Sequence, residues 1–174
     1  MRVISGTLKS RQFKSPRTRR THPMGDKVRG ALFNVLGDIK GLTVLDAFAG
    51  SGALAIESVS RGARDVYAIE KDSQAYTCIV ENIESLGIEN IKATRANVSS
   101  WSSNNADIGF DVVLCDPPYD AVPESLIRKL SQHLNPSGTL VVSWPASEKL
   151  PKLPHLRLIQ DQAYADAQLA FYKK

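Results

Sequence analysis

Between Asp26 and Leu36, apolar residues at 28, 31, 32, 35 and 36 have the spacing of one helix face. Asp26 opens or caps that helix, and Gly37 ends it. From there short apolar runs alternate with helical spacings. Thr43–Phe48 reads as a strand, Gly52–Arg61 as a helix and Val66–Ile69 as a strand. Ser73–Leu86 reads as a helix closed by Gly87. Ile91–Thr94 and Phe110–Cys115 read as strands, Pro123–Leu134 as a helix and Thr139–Trp144 as a strand. Leu156–Gln160 and Gln168–Tyr172 fit a closing hairpin that adds an antiparallel strand. Ser99–Asn105 (SSWSSNN) reads as a polar loop. The early strands are continuous apolar runs, as expected of strands covered by helices on both faces. The alternation predicts a mainly parallel α/β sheet.

Residues 1–24 read differently: a short hairpin, with strands near Arg2–Ile4 and Gln12–Lys14, then a basic linker. The organisation expected is a basic amino-terminal segment (1–24) ahead of a single α/β domain (25–174). The first 30 residues hold nine basic residues and one acidic, a charge of +8, while the rest of the chain carries −4. Such asymmetry suggests a polyanion held at one end. The 43% hydrophobic and 23% charged composition is that of an ordinary globular protein, and no apolar run is long enough for a membrane helix. The opening MRVISGTLKSRQ lacks the apolar stretch of a signal peptide. Cys78 and Cys115 read as buried thiols in a reducing compartment, so a cytoplasmic location is expected. His22, His133 and His155 are scattered, so no metal site is expected.

The first strand leads into Asp46-Ala-Phe48-Ala49-Gly50-Ser51-Gly52-Ala53, with a helix behind it. Small residues let a ligand approach the backbone, and helix-start amides face it. With Ala55 the turn satisfies the loose dinucleotide pattern, but Asp46 at the strand end would repel a pyrophosphate. It suits a cationic ligand with an amino-acid end. Glu70 closes the second strand, where a carboxylate accepts both hydroxyls of a ribose. The ligand that fits an acidic pocket with a ribose acceptor is S-adenosylmethionine. An amide at Asn97, after the third strand, can meet an adenine amino group.

The fourth strand delivers Asp116-Pro117-Pro118-Tyr119 to the same edge. Two prolines fix the backbone and leave carbonyls without local amide partners. A fixed carboxylate and a fixed carbonyl together accept both hydrogens of one NH2 group. An adjacent aromatic ring stacks on a flat base. The exocyclic amine of a nucleobase is a poor nucleophile because its lone pair is delocalised. Two acceptors favour a pyramidal nitrogen and aim its lone pair at a methyl donor.

These residues resemble the class I, S-adenosylmethionine-dependent amino-methyltransferases. The Met1-Arg-Val-Ile-Ser-Gly opening and Asp26-Lys-Val-Arg-Gly-Ala-Leu-Phe-Asn34-Val-Leu are similar to one group among them, the bacterial RsmD family. The resemblance implies a Rossmann-like, mainly parallel seven-stranded sheet with an antiparallel closing strand. It implies methylation of guanine N2, at a guanine 966-type site in 16S ribosomal RNA, by a monomer acting on a small-subunit particle. It places the methionine part of the cofactor on Asp46 to Ala53, the ribose on Glu70 with Lys71 beside it, and the adenine end on Asn97. S-adenosylhomocysteine is the implied product. Asp116 to Tyr119 hold the guanine. Arg2, Arg11, Lys14, Arg17, Arg19, Arg20 and Arg29 are the expected RNA contacts. The sequence departs from the family at Arg20-Thr-His22-Pro23-Met24, where Arg-Pro-Thr is usual. Three rivals stay open: a DNA or other RNA amino-methyltransferase, a non-catalytic RNA-binding assembly factor, and a nicotinamide-dependent reductase. The first lacks length for a target-recognition domain, the second would not need both motifs, and the third is disfavoured by Asp46.

Overall fold

The computed structural model describes residues 1–16, 24–118 and 123–174. The elements in chain order are α1 (Asp26–Leu36), β1 (Thr43–Asp46), α2 (Ala53–Ser60), β2 (Asp65–Glu70), α3 (Ser73–Leu86) and β3 (Ile91–Arg95). They continue with α4 (Val98–Asn104), β4 (Phe110–Cys115), α5 (Glu124–Ser131), β5 (Leu134–Pro145), β6 (Arg157–Tyr164) and β7 (Ala167–Lys173). The seven strands form one sheet in the order β3-β2-β1-β4-β5-β7-β6. β1 to β5 run parallel, β7 runs antiparallel to β5, and β6 antiparallel to β7. The direction of winding reverses between β1 and β4, which opens a crevice at their carboxyl ends.

Side-chain alternation splits the core in two. Val44, Val66, Ala68, Val112, Leu114, Val141, Leu169 and Phe171 face a cluster shared with α1 and α2. Leu45, Ile69, Val113, Cys115, Leu140, Val142, Trp144 and Tyr172 face the other cluster, with Trp101 of α4 and Ile127 and Leu130 of α5. Asp46, Glu70, Asp116 and Ser143 continue the first series. That parity brings three carboxylates to one face of one sheet edge.

The structure corrects several expectations. Ser99–Asn105 is not a loop, because Asn97 caps α4: its Oδ1 accepts from the Ser99 and Ser100 amides at 2.9 and 3.4 Å. The helix buries Trp101 against Tyr67, Phe110 and His133. α5 stops at Ser131, and β5 starts earlier than expected, at Leu134, which pairs with Phe110. The amino-terminal hairpin has one antiparallel bridge, Arg2 to Gln12, in place of two strands. Val3 and Phe13 anchor it in the first core cluster.

Arg29, expected on the surface as an RNA contact, is fully buried. Its Nη1 donates to the Met24 carbonyl at 3.1 Å, and its Nη2 to the Arg2 carbonyl at 2.8 Å and Asp26 Oδ1 at 2.9 Å. Its Nε lies 3.9 Å from Glu57 of α2. Glu57, also buried, accepts from the Ile4 amide at 2.8 Å, the Ser5 amide at 3.0 Å and Arg61 Nε at 2.8 Å. The pair fastens the amino-terminal segment to α1 and α2. Arg29 is a structural cation here, because a guanidinium enclosed by carbonyls and carboxylates does not reach a phosphate. Removing Arg29 takes the buried donor from the Arg2 and Met24 carbonyls and leaves Arg61 as the cation beside Glu57, at a cost of about 1–3 kcal/mol. Arg29→Met is expected to lower the urea midpoint accordingly at unchanged m value. A midpoint shift worth under about 0.5 kcal/mol, the level of an ordinary surface substitution, would contradict this role.

Candidate active site

The glycine turn is held from both sides. The Ala47 amide donates to the Leu114 carbonyl of β4, and the Ala49 amide to the Ile69 carbonyl of β2, each at 3.0 Å. These bonds continue the sheet pairing beyond the last residue of β1. Gly50 (φ 53°) and Gly52 (φ 78°) lie in the left-handed region, which a side chain would strain. A Cβ on Gly52 would also come within 3.3 Å of Ile79 on α3. α2 starts at Ala53, so its first amides open toward the strand ends.

Glu70 supports this turn directly. Its Oε2 accepts from the Gly50 amide at 2.8 Å and its Oε1 from the Asp72 amide at 2.7 Å. Each oxygen keeps a second acceptor site, so the carboxylate can orient the turn and still receive ligand hydroxyls. Asp72 caps α3 by accepting from Gln74 and Ala75 at 2.9 and 3.0 Å. The expected cofactor residues thus meet around one turn: Ala49, Ser51, Gly52 and Ala53 are buried, Phe48 and Gly50 half-buried, and Lys71 exposed. Asn97 stands apart as the exposed cap of α4, with its acceptor oxygen already engaged.

Asp46 is fully buried. One oxygen accepts from the Ala55 amide at 3.1 Å, while Oδ1 has no partner. Withdrawal from water and, after it, the negative charge of Asp116 push its pKa up to about 8. Burial likewise pushes Asp116 up to about 6, against a lowering hydrogen bond from Ser143. Burial first, then Asp46 and Asp116, raise the Cys115 thiol well above its usual range, so it is no nucleophile. Ser143 was not expected from the sequence. Its signal was the alternation along β5, which puts it on the Asp116 side. Pro117 is buried and Pro118 exposed. Tyr119, Arg17, Arg19 and Arg20 lie outside the described residues. Arg2, Arg11 and Lys14 are exposed, with Arg2 paired to Asp26 at 3.1 Å and Lys14 to Glu81 at 2.8 Å.

A reversing sheet of this order, with a glycine turn and strand-end acids at the reversal, defines the class I methyltransferase fold. The chain belongs to the RsmD family: the family model described as Conserved hypothetical protein 95 matches residues 1–173. It is 32% identical to Ribosomal RNA small subunit methyltransferase D of Haemophilus influenzae, over 99% of this chain and 93% of that protein. It is 30% identical to YlbH of Bacillus subtilis, over 100% and 99% of the two chains. The solved structure of Escherichia coli yhhF superposes with a TM-score of 0.90 at 27% identity, covering 100% of this chain and 97% of that one.

The unpartnered Asp46 oxygen, in an acidic crevice, fits a ligand that brings a cationic donor. Such a ligand favours the ionised carboxylate and lowers its pKa. With its pKa raised to about 8, Asp46 in the free site is expected to be largely protonated at pH 7, and binding of S-adenosylmethionine to release up to about one proton. Calorimetry at pH 7 in buffers of different ionisation enthalpy checks this. The release should vanish well above pH 8, where Asp46 is already ionised, and binding heats independent of buffer at pH 7 would contradict it.

Proposed function

We propose that this protein transfers a methyl group from S-adenosylmethionine to the exocyclic N2 of a guanine in 16S ribosomal RNA. The single observation that carries this reading is the convergence of Asp46, Glu70 and Asp116 on one face at the sheet reversal. The name of the Haemophilus influenzae relative supports a small-subunit ribosomal RNA as substrate. The +8 amino-terminal segment supports a polyanion, with Arg2, Arg11 and Lys14 exposed and Arg17, Arg19 and Arg20 following in sequence. The guanine 966-type site and the particle context are what the family resemblance implies, and the enzyme is read as a monomer.

Asp46 and the turn through Ala53 hold the amino-acid end of the cofactor, and Glu70 holds its ribose. Lys71 and Asn97 border the rest. When bound, the cofactor supplies an electrophilic methyl group. The target base leaves its stack, at a cost of a few kcal/mol, to enter the crevice. Asp116 accepts a hydrogen of the guanine amine, and the Pro117-Pro118 backbone fixes where that amine sits. Tyr119 stacks on the base. Asp116 or water then takes the proton the amine gives up. Ser143 keeps the Asp116 carboxylate oriented.

Asp116→Ala is expected to lower kcat by about 10²–10³-fold, the range for losing one preorganised partner of the reacting group. Cofactor affinity should persist, because Asp46 and Glu70 are untouched. Retained turnover would overturn the assignment. In the wild type the acceptor must be ionised. With its pKa raised to about 6, kcat/KM for RNA at saturating S-adenosylmethionine, with Asp46 already ionised by the bound cofactor, should climb as pH rises through that value and then level off. A flat profile across that interval would show that Asp116 is not the acceptor.

A further inference from the structure

We propose that Asn82 is a positioning residue that ties the root of the RNA-facing arm to the cofactor turn; this rests on the methyltransferase reading above. α3 presents Ala75, Cys78, Ile79, Asn82 and Leu86 as its buried residues, and Asn82 is the polar exception, 1% exposed. A carboxamide in that position must be fully bonded or it destabilises the fold.

It is bonded to two distant segments. Oδ1 accepts from the Lys14 amide at 2.8 Å, and Nδ2 donates to the Lys14 carbonyl at 3.0 Å. The side chain thus pairs with residue 14 as a neighbouring strand would. Nδ2 also donates to the Ser51 carbonyl at 3.3 Å, with Cys78 Sγ a weaker neighbour at 3.6 Å. Ser51 lies between the two left-handed glycines of the cofactor turn. Lys14 lies three residues before Arg17, where the arginine-rich stretch begins.

The Lys14–Glu81 ion pair is exposed, and such pairs contribute little. A groove of about 600 Å³ is lined by Lys14, Ser15 and Pro16 and by Ser73, Gln74 and Thr77 of α3. The Asn82 carboxamide gives a pull on the arm by bound RNA a direct route to the Ser51 carbonyl. By linkage, a turn fixed by cofactor fixes the arm root, and each ligand strengthens the other by the same factor.

The test measures S-adenosylhomocysteine binding by calorimetry and binding of a 16S rRNA fragment by anisotropy, each with and without the other ligand. Wild type is compared with Asn82→Asp, which keeps the shape but has no N–H to donate. It is also compared with Asn82→Leu, which keeps the face packed if the aspartate variant does not fold. The wild type should show mutual tightening of about 3–10-fold, the scale of one or two hydrogen bonds. In the variants that factor should fall to one. KM for S-adenosylmethionine should rise about tenfold, with kcat at saturation within about twofold. Equal coupling in wild type and variants, or no coupling in wild type, overturns the role of Asn82. A wild type that binds no S-adenosylhomocysteine overturns the methyltransferase reading instead.

Discussion

Asp46 ends a strand covered on both faces, so its carboxylate sits out of water with one oxygen bonded and the other without a partner. The rest of the site is arranged around that unpartnered oxygen. The parallel neighbours β2 and β4 bring Glu70 and Asp116 to the same face, and their charges raise its pKa further. Three acids at one edge make a poor resting arrangement and a good receptor for a cation. A fold that keeps such a group unpaired relies on the ligand to complete it.

The amino-terminal segment is part of this arrangement, not an attached tail. Glu57 on α2 accepts from the Ile4 and Ser5 amides, and Arg29 on α1 donates to the Arg2 and Met24 carbonyls. α2 is the helix that starts at the cofactor turn. The segment that carries the excess positive charge is thus fixed to the helix that follows the glycine turn. Further along, Asn82 repeats the connection between Lys14 and Ser51. Two buried polar contacts, at Ile4–Ser5 and at Lys14, hold the segment against α2 and the glycine turn.

Much of this could be read from the chain alone. α1, α3 and β4 have the boundaries that periodicity and terminal glycines predict, because their patterns are long or uninterrupted. The strand-end acids were visible because apolar runs stop at them. What the sequence hid was what tertiary contacts decide. α4 is rich in serine, and its helical state depends on the Asn97 cap and on burying Trp101. Arg29 looks like one more surface cation in a basic segment, until its partners arrive from the segment's own backbone and from Glu57, 28 positions away. Asn82 carried a readable signal, a polar residue on an apolar helix face, but its partners lie 68 and 31 residues away.

The most direct measurement is the identity of the methylated nucleoside. Labelled S-adenosylmethionine would be supplied with small ribosomal subunits from cells lacking this activity, with free 16S rRNA and with duplex DNA. The products would be resolved by mass spectrometry. N2-methylguanosine in ribosomal RNA is the predicted result, and the substrate that carries it defines the assembly stage. Label in N6-methyladenine or in DNA would contradict the guanine assignment, and bound cofactor with no transfer to any substrate would contradict the catalytic one.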